Sequence, residues 1–349
     1  MPTKPRTLSI RTDADVAIGS GHAMRCLALA QEWRSSTAAV QFIMQGTSPG
    51  VAERLRTEGM EVRDVGAERG SVADCEETAR YVSSFGSQWI IVDGYHFMSA
   101  YHSSLKRAGY SVLHIDDGMH LGRYHADIVL DQNICASDER YADREPYTRL
   151  LLGTQYAMLR HEFTQSGSRK RDIPEVARNI LMTIGGADQQ NITLHLLLEL
   201  GRIDLGGAEI SVVAGSINPN VDTLAEAVTR MKCKVTLTTN VHDMHALMRR
   251  ADIAVAAAGS TCWELCYMGL PSILVVAAEN QKRIASELAS RGVALSMGRF
   301  GTFADEDFGI AMARLARDRE MRSRFSQTGQ QLVDGKGAQR VVSYLKDEM

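Results

Sequence analysis

Short apolar runs alternate along the chain with stretches whose apolar residues recur every three or four positions. The first pattern fits strands buried on both faces, the second fits helices with one buried stripe. In the first half this predicts strands at Leu8–Arg11, Val40–Met44, Trp89–Val92, Ser111–Ile115 and Ile128–Leu130. Helices are predicted at His22–Ser35, Val51–Glu58, Ser71–Ser83 and Tyr101–Ala108. The scheme restarts with a strand at Asn179–Ile184, a helix near Asn191–Gly201, and strands at Glu209–Ala214, Lys234–Thr238, Ile253–Ala257 and Ser272–Val276. Such alternation predicts an α/β protein of parallel sheets with helices on both faces, and its restart predicts two doubly wound, Rossmann-like domains facing a cleft. The expected domains are residues 1–163 and 177–349, with the last helix able to pack back on the first domain. Between them, Thr164–Val176 holds Gly, Ser, Pro and the charge run Arg169-Lys170-Arg171-Asp172, and reads as a solvated linker.

Composition narrows the class. With 349 residues and 44% hydrophobic content, the chain can fill two cores. A net charge of −3 gives no basic surplus for nucleic acid. No apolar run approaches the roughly 18 residues that a membrane span needs, and no secretory leader is visible. The six cysteines are scattered without a C-x-x-C pair, which suits reduced thiols in a cytoplasmic protein.

Candidate chemistry concentrates at strand ends. Gly19-Ser20-Gly21-His22 follows the first strand and opens a helix. Glycines let a backbone approach a ligand, helix N-termini attract anions, and histidine moves protons near neutral pH. The loop is neither a dinucleotide fingerprint, since position 24 is Met, nor a P-loop. Gly259-Ser260-Thr261 stands between a strand and the helix Cys262–Met268, where free N–H groups can hold a diphosphate and Glu264, one turn in, can grip ribose hydroxyls. Simple capping by Ser260 and Thr261, with Glu264 complementing the helix dipole, explains the same residues. Gly185-Gly186-Ala187-Asp188 leaves room for a ligand at another strand end, or Asp188 caps the following helix. Asp93-Gly94-Tyr95-His96 points to the crevice, although a turn accounts for Asp93 and Gly94 equally well. His114, Asp116, Asp117, His120 and His125 match no defined metal motif, so no metal is expected; His242 and His245 read as surface residues.

Several blocks together resemble a known family: R-T-D-A-D-V-A-I-G-S-G-H-A-M-R-C-L-A-L-A (11–30), D-G-Y-H (93–96), I-D-D (115–117), A-D-I-V-L-D-Q-N (126–133), L-L-G-T-Q-Y-A-M-L-R-H-E-F (151–163), G-G-A-D (185–188), A-A-G-S-T-C-W-E (257–264) and N-Q (280–281). In collinear order over most of the chain, they resemble the UDP-sugar hydrolases of the pseudaminic acid pathway, the PseG family. That resemblance implies the GT-B fold, with UDP on the second domain and the sugar facing the first. It implies release of UDP from UDP-2,4-diacetamido-2,4,6-trideoxy-β-L-altropyranose, with no cofactor, no metal, and neither membrane nor nucleic acid as partner. It implies His22 as general base, uracil near the Asn240-Val241-His242 backbone, diphosphate at Gly259-Ser260-Thr261 and ribose at Glu264. Gly19, Gly21, Gly185, Gly186, Asp188, Asn280 and Gln281 complete the expected substrate contacts. Tyr95, Asp116, Asp117 and Asn133 are candidates for sugar contact or for positioning the base.

The expected reaction is attack of water at the anomeric carbon with inversion. His22 must be neutral to take the proton, and such a base contributes roughly 10²–10⁴-fold. Asp13 or Asp15 is expected to orient the ring, and Arg25 either adds positive charge or is an ordinary exposed helical residue. A GT-B glycosyltransferase, a hydrolysing UDP-sugar 2-epimerase and a non-catalytic binding subunit are the rival readings.

Overall fold

The computed structural model describes residues 6–34, 38–118, 121–165 and 171–347. His120, Arg169 and Lys170 therefore lie outside the described residues. The chain divides into two compact units, Met1–His161 with Gly335–Met349, and Glu162–Asp334.

In the first unit the apolar runs become parallel strands. These are β1 (Thr7–Thr12), β2 (Ala39–Met44), β3 (Glu61–Asp64), β4 (Trp89–Asp93), β5 (Ser111–Ile115), β6 (Ile128–Asp131) and β7 (Arg149–Leu152). Helices α1 (Gly21–Arg34), α2 (Pro49–Thr57), α3 (Val72–Phe85) and α4 (Ser99–Arg107) connect the earlier ones, and α5 (His161–Thr164) stands at the division. The sheet order is β3-β2-β1-β4-β5-β6-β7. In the second unit the order is β10-β9-β8-β11-β12-β13, again parallel throughout. Its strands are β8 (Asn179–Thr183), β9 (Glu209–Ala214), β10 (Lys234–Thr239), β11 (Ile253–Ala257), β12 (Ser272–Val276) and β13 (Ala294–Arg299). Its helices are α6 (Ile192–Leu200), α7 (Val221–Thr229), α8 (Met244–Arg250), α9 (Thr261–Met268), α10 (Gln281–Ser290), α11 (Asp305–Arg317) and α12 (Arg319–Leu332). Both are doubly wound orders, and each has one switch point where the winding reverses: between β1 and β4, and between β8 and β11. Ligands of open α/β sheets bind outside the carboxyl ends of the strands at that point.

The last helix, α13 (Gly337–Asp347), belongs to the first unit. Its Ala338, Val341, Val342 and Leu345 are buried in one cluster with Leu27, Trp33 and Leu151. Gly337 lies so close to the backbone that a Cβ there would come within 2.2 Å of the Ala157 oxygen.

Two expectations need correction. Strands β3, β7 and β13 are absent from the sequence reading, and all three are edge strands with mostly part-exposed residues. An edge strand lacks the second covered flank that makes an apolar run conspicuous. The described end of the expected linker is also not a solvated tether. Arg171 donates to the carbonyls of Met248 (2.6 Å), Ala251 (2.5 Å) and Met268 (3.0 Å), at the ends of α8 and α9. Burial pulls its guanidinium down to about 10. Arg322 on α12 holds the Pro174 and Glu175 carbonyls in the same way.

Candidate active site

In the first unit the switch point gathers charged side chains. β1 runs through a loop into α1, where Gly19 takes a left-handed φ of 82° and donates its N–H to the Asp15 carbonyl at 2.8 Å. That turn delivers His22 to the first turn of α1, with Arg25 one turn further on the same face. β4 ends beside β1, with Asp93 paired to Thr12, so the Asp93 carboxylate meets both side chains.

The His22 Nδ1 stands 2.6 Å from Asp93 Oδ1. Arg25 donates through Nε to Asp93 Oδ2 (2.7 Å) and through Nη2 to Oδ1 (2.6 Å), and the Cys26 thiol donates to Oδ2 at 3.3 Å. Arg25 also binds Asp117 through Nη1, and the Tyr95 hydroxyl donates to Asp117 Oδ2 at 2.9 Å. The Tyr95 ring meets the His22 ring edge-on, with centroids 4.8 Å apart. Asp93 is fully buried, His22 and Arg25 nearly so, and Tyr95 is 37% exposed. Burial alone pushes the Asp93 carboxyl up, but Arg25, and after it His22, outweigh burial and hold it well below the usual carboxylate range. Asp117 is lowered by the same balance. Burial, then Asp117, raise the Tyr95 phenol, which stays protonated and donates. Two groups meet Nδ1, the Asp93 carboxylate at 2.6 Å and the Arg25 Nη2 at 3.0 Å; the shorter contact favours the tautomer with the proton on Nδ1, which leaves Nε2 with the lone pair.

The carboxylate that orients the ring is thus Asp93, and the expectation for Asp13 or Asp15 is corrected. Asp13 accepts from Arg11 (2.6 Å), His96 (2.8 Å) and the Gln45 N–H (2.6 Å). Asp15 accepts from the Ala17 and Ile18 N–H groups and pairs with Arg69 at 2.5 Å, so it shapes the loop and does not reach the ring. Arg25 is the cluster's buried cation and not an exposed helical residue. Asp93 closes a strand that is buried along its whole length, and its place at the head of the D-G-Y-H block is what marked it in the sequence. A buried carboxylate requires a partner.

Other expected contacts divide. Asp117 is part-exposed within the cluster, whereas Asp116 is buried against the Tyr124 hydroxyl at 3.2 Å. Asn133 is buried, and its backbone N–H donates to Asp131 at 2.9 Å. Burial, with Asp116 and Asp117 adding repulsion, pushes the Asp131 carboxyl up to about 6, and Tyr141 donates to it at 2.8 Å. His114 packs against His102 with ring centroids 4.6 Å apart, and His125 pairs with Glu145 at 2.8 Å, so the sequence cluster of histidines is dispersed.

The second unit's switch point is built from backbone. Gly259 and Ser260 follow β11, and Ser260 caps α9 without a side-chain hydrogen bond. Glu264 sits in the first turn of that helix. Gln281 accepts from the Ala277 N–H at 2.8 Å, which turns its amide nitrogen toward Gly259, 3.7 Å from where a Cβ would stand. Asn280 caps α10. Asn240, with a φ of 52°, turns the chain before Val241 and His242. Gly185 takes a φ of 94°, and Gly186 lies against Gly215. Asp188 is corrected: its carboxylate is buried and accepts from the Ile192 (2.8 Å) and Thr193 (2.9 Å) N–H groups. It fills the N-terminus of its own helix, α6. His245 is buried against Phe163 and is not a surface residue.

Among known proteins, residues 180–297 match the Glycosyltransferase family 28 C-terminal domain, which falls within the second unit. The spore coat polysaccharide biosynthesis protein SpsG of Bacillus subtilis is 28% identical over 201 residues, covering 57% of this chain and 59% of that one. The chain spans less than two thirds of the length of the curated relatives it matches, 59% and 56%. Among solved structures, MnaA of S. aureus with UDP superposes with a TM-score of 0.69 at 11% identity, over 98% of this chain and 96% of that one. MurG of Acinetobacter baumannii superposes with a TM-score of 0.65 at 15% identity, over 98% and 100%. The fold is therefore that of the GT-B glycosyltransferases, two Rossmann-like domains. Among the described residues, no helix is long and apolar enough to cross a membrane.

Proposed function

We propose that this chain is a nucleotide-sugar hydrolase that releases UDP by attack of water at the anomeric carbon, needing no metal. The observation that carries the reading is the 2.6 Å contact between His22 Nδ1 and Asp93, which leaves Nε2 as a proton acceptor. Water loses a proton to Nε2 as its oxygen bonds to the anomeric carbon. The bond from that carbon to the diphosphate oxygen breaks on the opposite face, so the configuration inverts. Asp93 steadies the imidazolium that forms, and Arg25 keeps Asp93 ionised.

The second unit supplies the nucleotide half of the reading. Backbone N–H groups ahead of α9 meet the departing diphosphate without reorganising. Gln281 donates beside them, Glu264 takes the ribose hydroxyls, and the Val241 backbone meets uracil. The GT28 match over this unit, and a UDP-bound neighbour of the same fold, support that assignment. The SpsG relative, named for polysaccharide biosynthesis, supports a role in making a surface sugar. Within the reading, the substrate is UDP-2,4-diacetamido-2,4,6-trideoxy-β-L-altropyranose, the protein is cytoplasmic and its pathway is that of pseudaminic acid. This finer step rests on the sequence blocks around His22 and at 151–163.

A panel of UDP-sugars including that compound tests the reading, with the product anomer followed by NMR in ¹⁸O-water. The expected result is UDP release without added acceptor, label in the sugar, an inverted anomer and full activity in EDTA. Label in the UDP phosphate overturns attack at carbon. Solvent deuterium at C2 points to epimerase chemistry, and turnover only with an added hydroxyl acceptor points to a transferase.

A further inference from the structure

One loop at the second unit's switch-point edge carries a polar group that nothing among the described residues satisfies. Residues 215–220 leave β9 and lie against the loop that follows β8. Gly215 approaches Gly186 so closely that a Cβ would come within 2.3 Å of the Gly186 oxygen. Asn220 donates from Nδ2 to the Asp188 carbonyl at 3.1 Å, tying the two loops together. Asp188 and Asn191 both adopt left-handed backbone, with φ of 41° and 52°. Asp and Asn are the residues after glycine that tolerate this region, so the two fix a tight turn beside the 215–220 loop.

Within this arrangement Asn218 is 8% exposed. Its Oδ1 accepts the Asn220 N–H at 2.8 Å, and its backbone N–H donates to the Gly215 carbonyl at 3.1 Å. Its Nδ2 is buried and has no partner among the described residues. The orientation of the amide is not arbitrary, because turning it over would set Nδ2 against the Asn220 N–H, donor against donor. A buried donor left unpaired costs about 1–3 kcal/mol, so its persistence calls for an acceptor. The Asn191 Oδ1, on the loop that Asn220 grips, is a buried acceptor in the same position.

We propose that Asn218 is a ligand contact, its side-chain amide donating to an acceptor oxygen of the nucleotide bound at this sheet edge. The inference rests on the nucleotide reading of the second unit. The acceptor is a phosphate oxygen or a uracil carbonyl, chemically alike as partners of an amide donor. Asn218→Asp keeps the oxygen that accepts from Asn220 but replaces the orphan donor with a negative charge, whereas Asn218→Ser keeps an acceptor without adding charge and is the variant that decides.

The test is calorimetric titration of the full chain and both variants with UDP, UMP and uridine, alongside thermal melting. Wild type is expected to bind UDP, and both variants to bind it at least about fivefold more weakly, the loss of one hydrogen bond to a ligand. A loss seen with uridine as well assigns the bond to the base, and a loss confined to UDP and UMP assigns it to phosphate. UDP affinity unchanged in Asn218→Ser, whose charge is that of wild type, overturns the proposal, and so does a loss matched by a general fall in melting temperature. If wild type binds no UDP, the nucleotide reading itself fails, a result distinct from a variant that binds as well as wild type.

Discussion

The two switch points solve opposite problems. In the first unit, Asp93, Arg25 and Asp117 spend their charges on one another with His22 bonded to Asp93, and most of these side chains are buried. In the second, the corresponding edge presents glycines, backbone N–H groups and one part-exposed carboxylate, Glu264. A saturated cluster of this kind suits a place where charge moves, because every partner of the moving proton is already fixed. A backbone edge of fixed N–H groups suits an anion, because it needs no reorganisation as negative charge is met there. The second unit repeats the lesson internally, for the N-terminus of α6 is filled by Asp188 and that of α9 is not filled by Ser260. Of two similar helix ends, only one offers itself to an anion.

The sharpest way to separate the two edges is to disable one. His22→Asn should lower turnover about 10²–10⁴-fold, the contribution of a positioned base, while UDP binding measured by calorimetry stays within about twofold. Normal turnover would remove His22 from the chemistry. Next in size, Asp93→Asn leaves Arg25 and His22 without their shared carboxylate. Breaking one partner of a buried ion pair costs about 3–5 kcal/mol, so melting temperature and kcat should fall together. A variant that keeps its stability and loses only kcat would confine Asp93 to orienting the ring.

On the other edge, Glu264→Gln should raise the UDP dissociation constant roughly tenfold with kcat little changed, the signature of a binding contact. A fall in kcat with unchanged UDP affinity would contradict the division of labour.

The smallest effect concerns acid. Burial pulls His114 down to about 4 and holds His102 well below its usual value, with His114 adding repulsion, so both stay neutral in the folded protein. The unfolded chain takes up those protons near the usual value of about 6.5, so stability is present above that pH and drains away as pH falls toward 4. Asp131, pushed up to about 6, works the other way, because the folded state holds its proton first and gains stability as pH falls from about 6 toward 4. Asp131→Asn removes that offset. Its melting temperature should drop more steeply than that of wild type between pH 6.5 and 4.5, and parallel curves would disprove the compensation.

The central strands and both switch points were legible because they are apolar runs followed by glycine. Three of the four edge strands were not, since residues such as Glu61, Arg63 and Arg149 meet solvent and break the run, whereas the fourth, β10, keeps a regular alternation. His22 was visible from its loop, but its partner was sought among neighbours in sequence, Asp13 and Asp15, when β-pairing supplies it from Asp93. Sheet register decides such partnerships, and no local pattern encodes register. Asp188 shows the reverse case: the two roles weighed for it, ligand contact and helix cap, share one sequence signature, and only the hydrogen bonds to Ile192 and Thr193 separate them.

The return of α13 to the first unit bears on how the protein is born. Trp33 and Leu27 keep part of their covering bare until Val341 and Leu345 leave the ribosome, after the whole second unit has been translated. The later-made unit can therefore close while the earlier one waits, an apolar face open on the nascent chain. A stalled or clipped product lacking the last helix would present that face to chaperones and proteases, making the final stretch a quality checkpoint for everything before it.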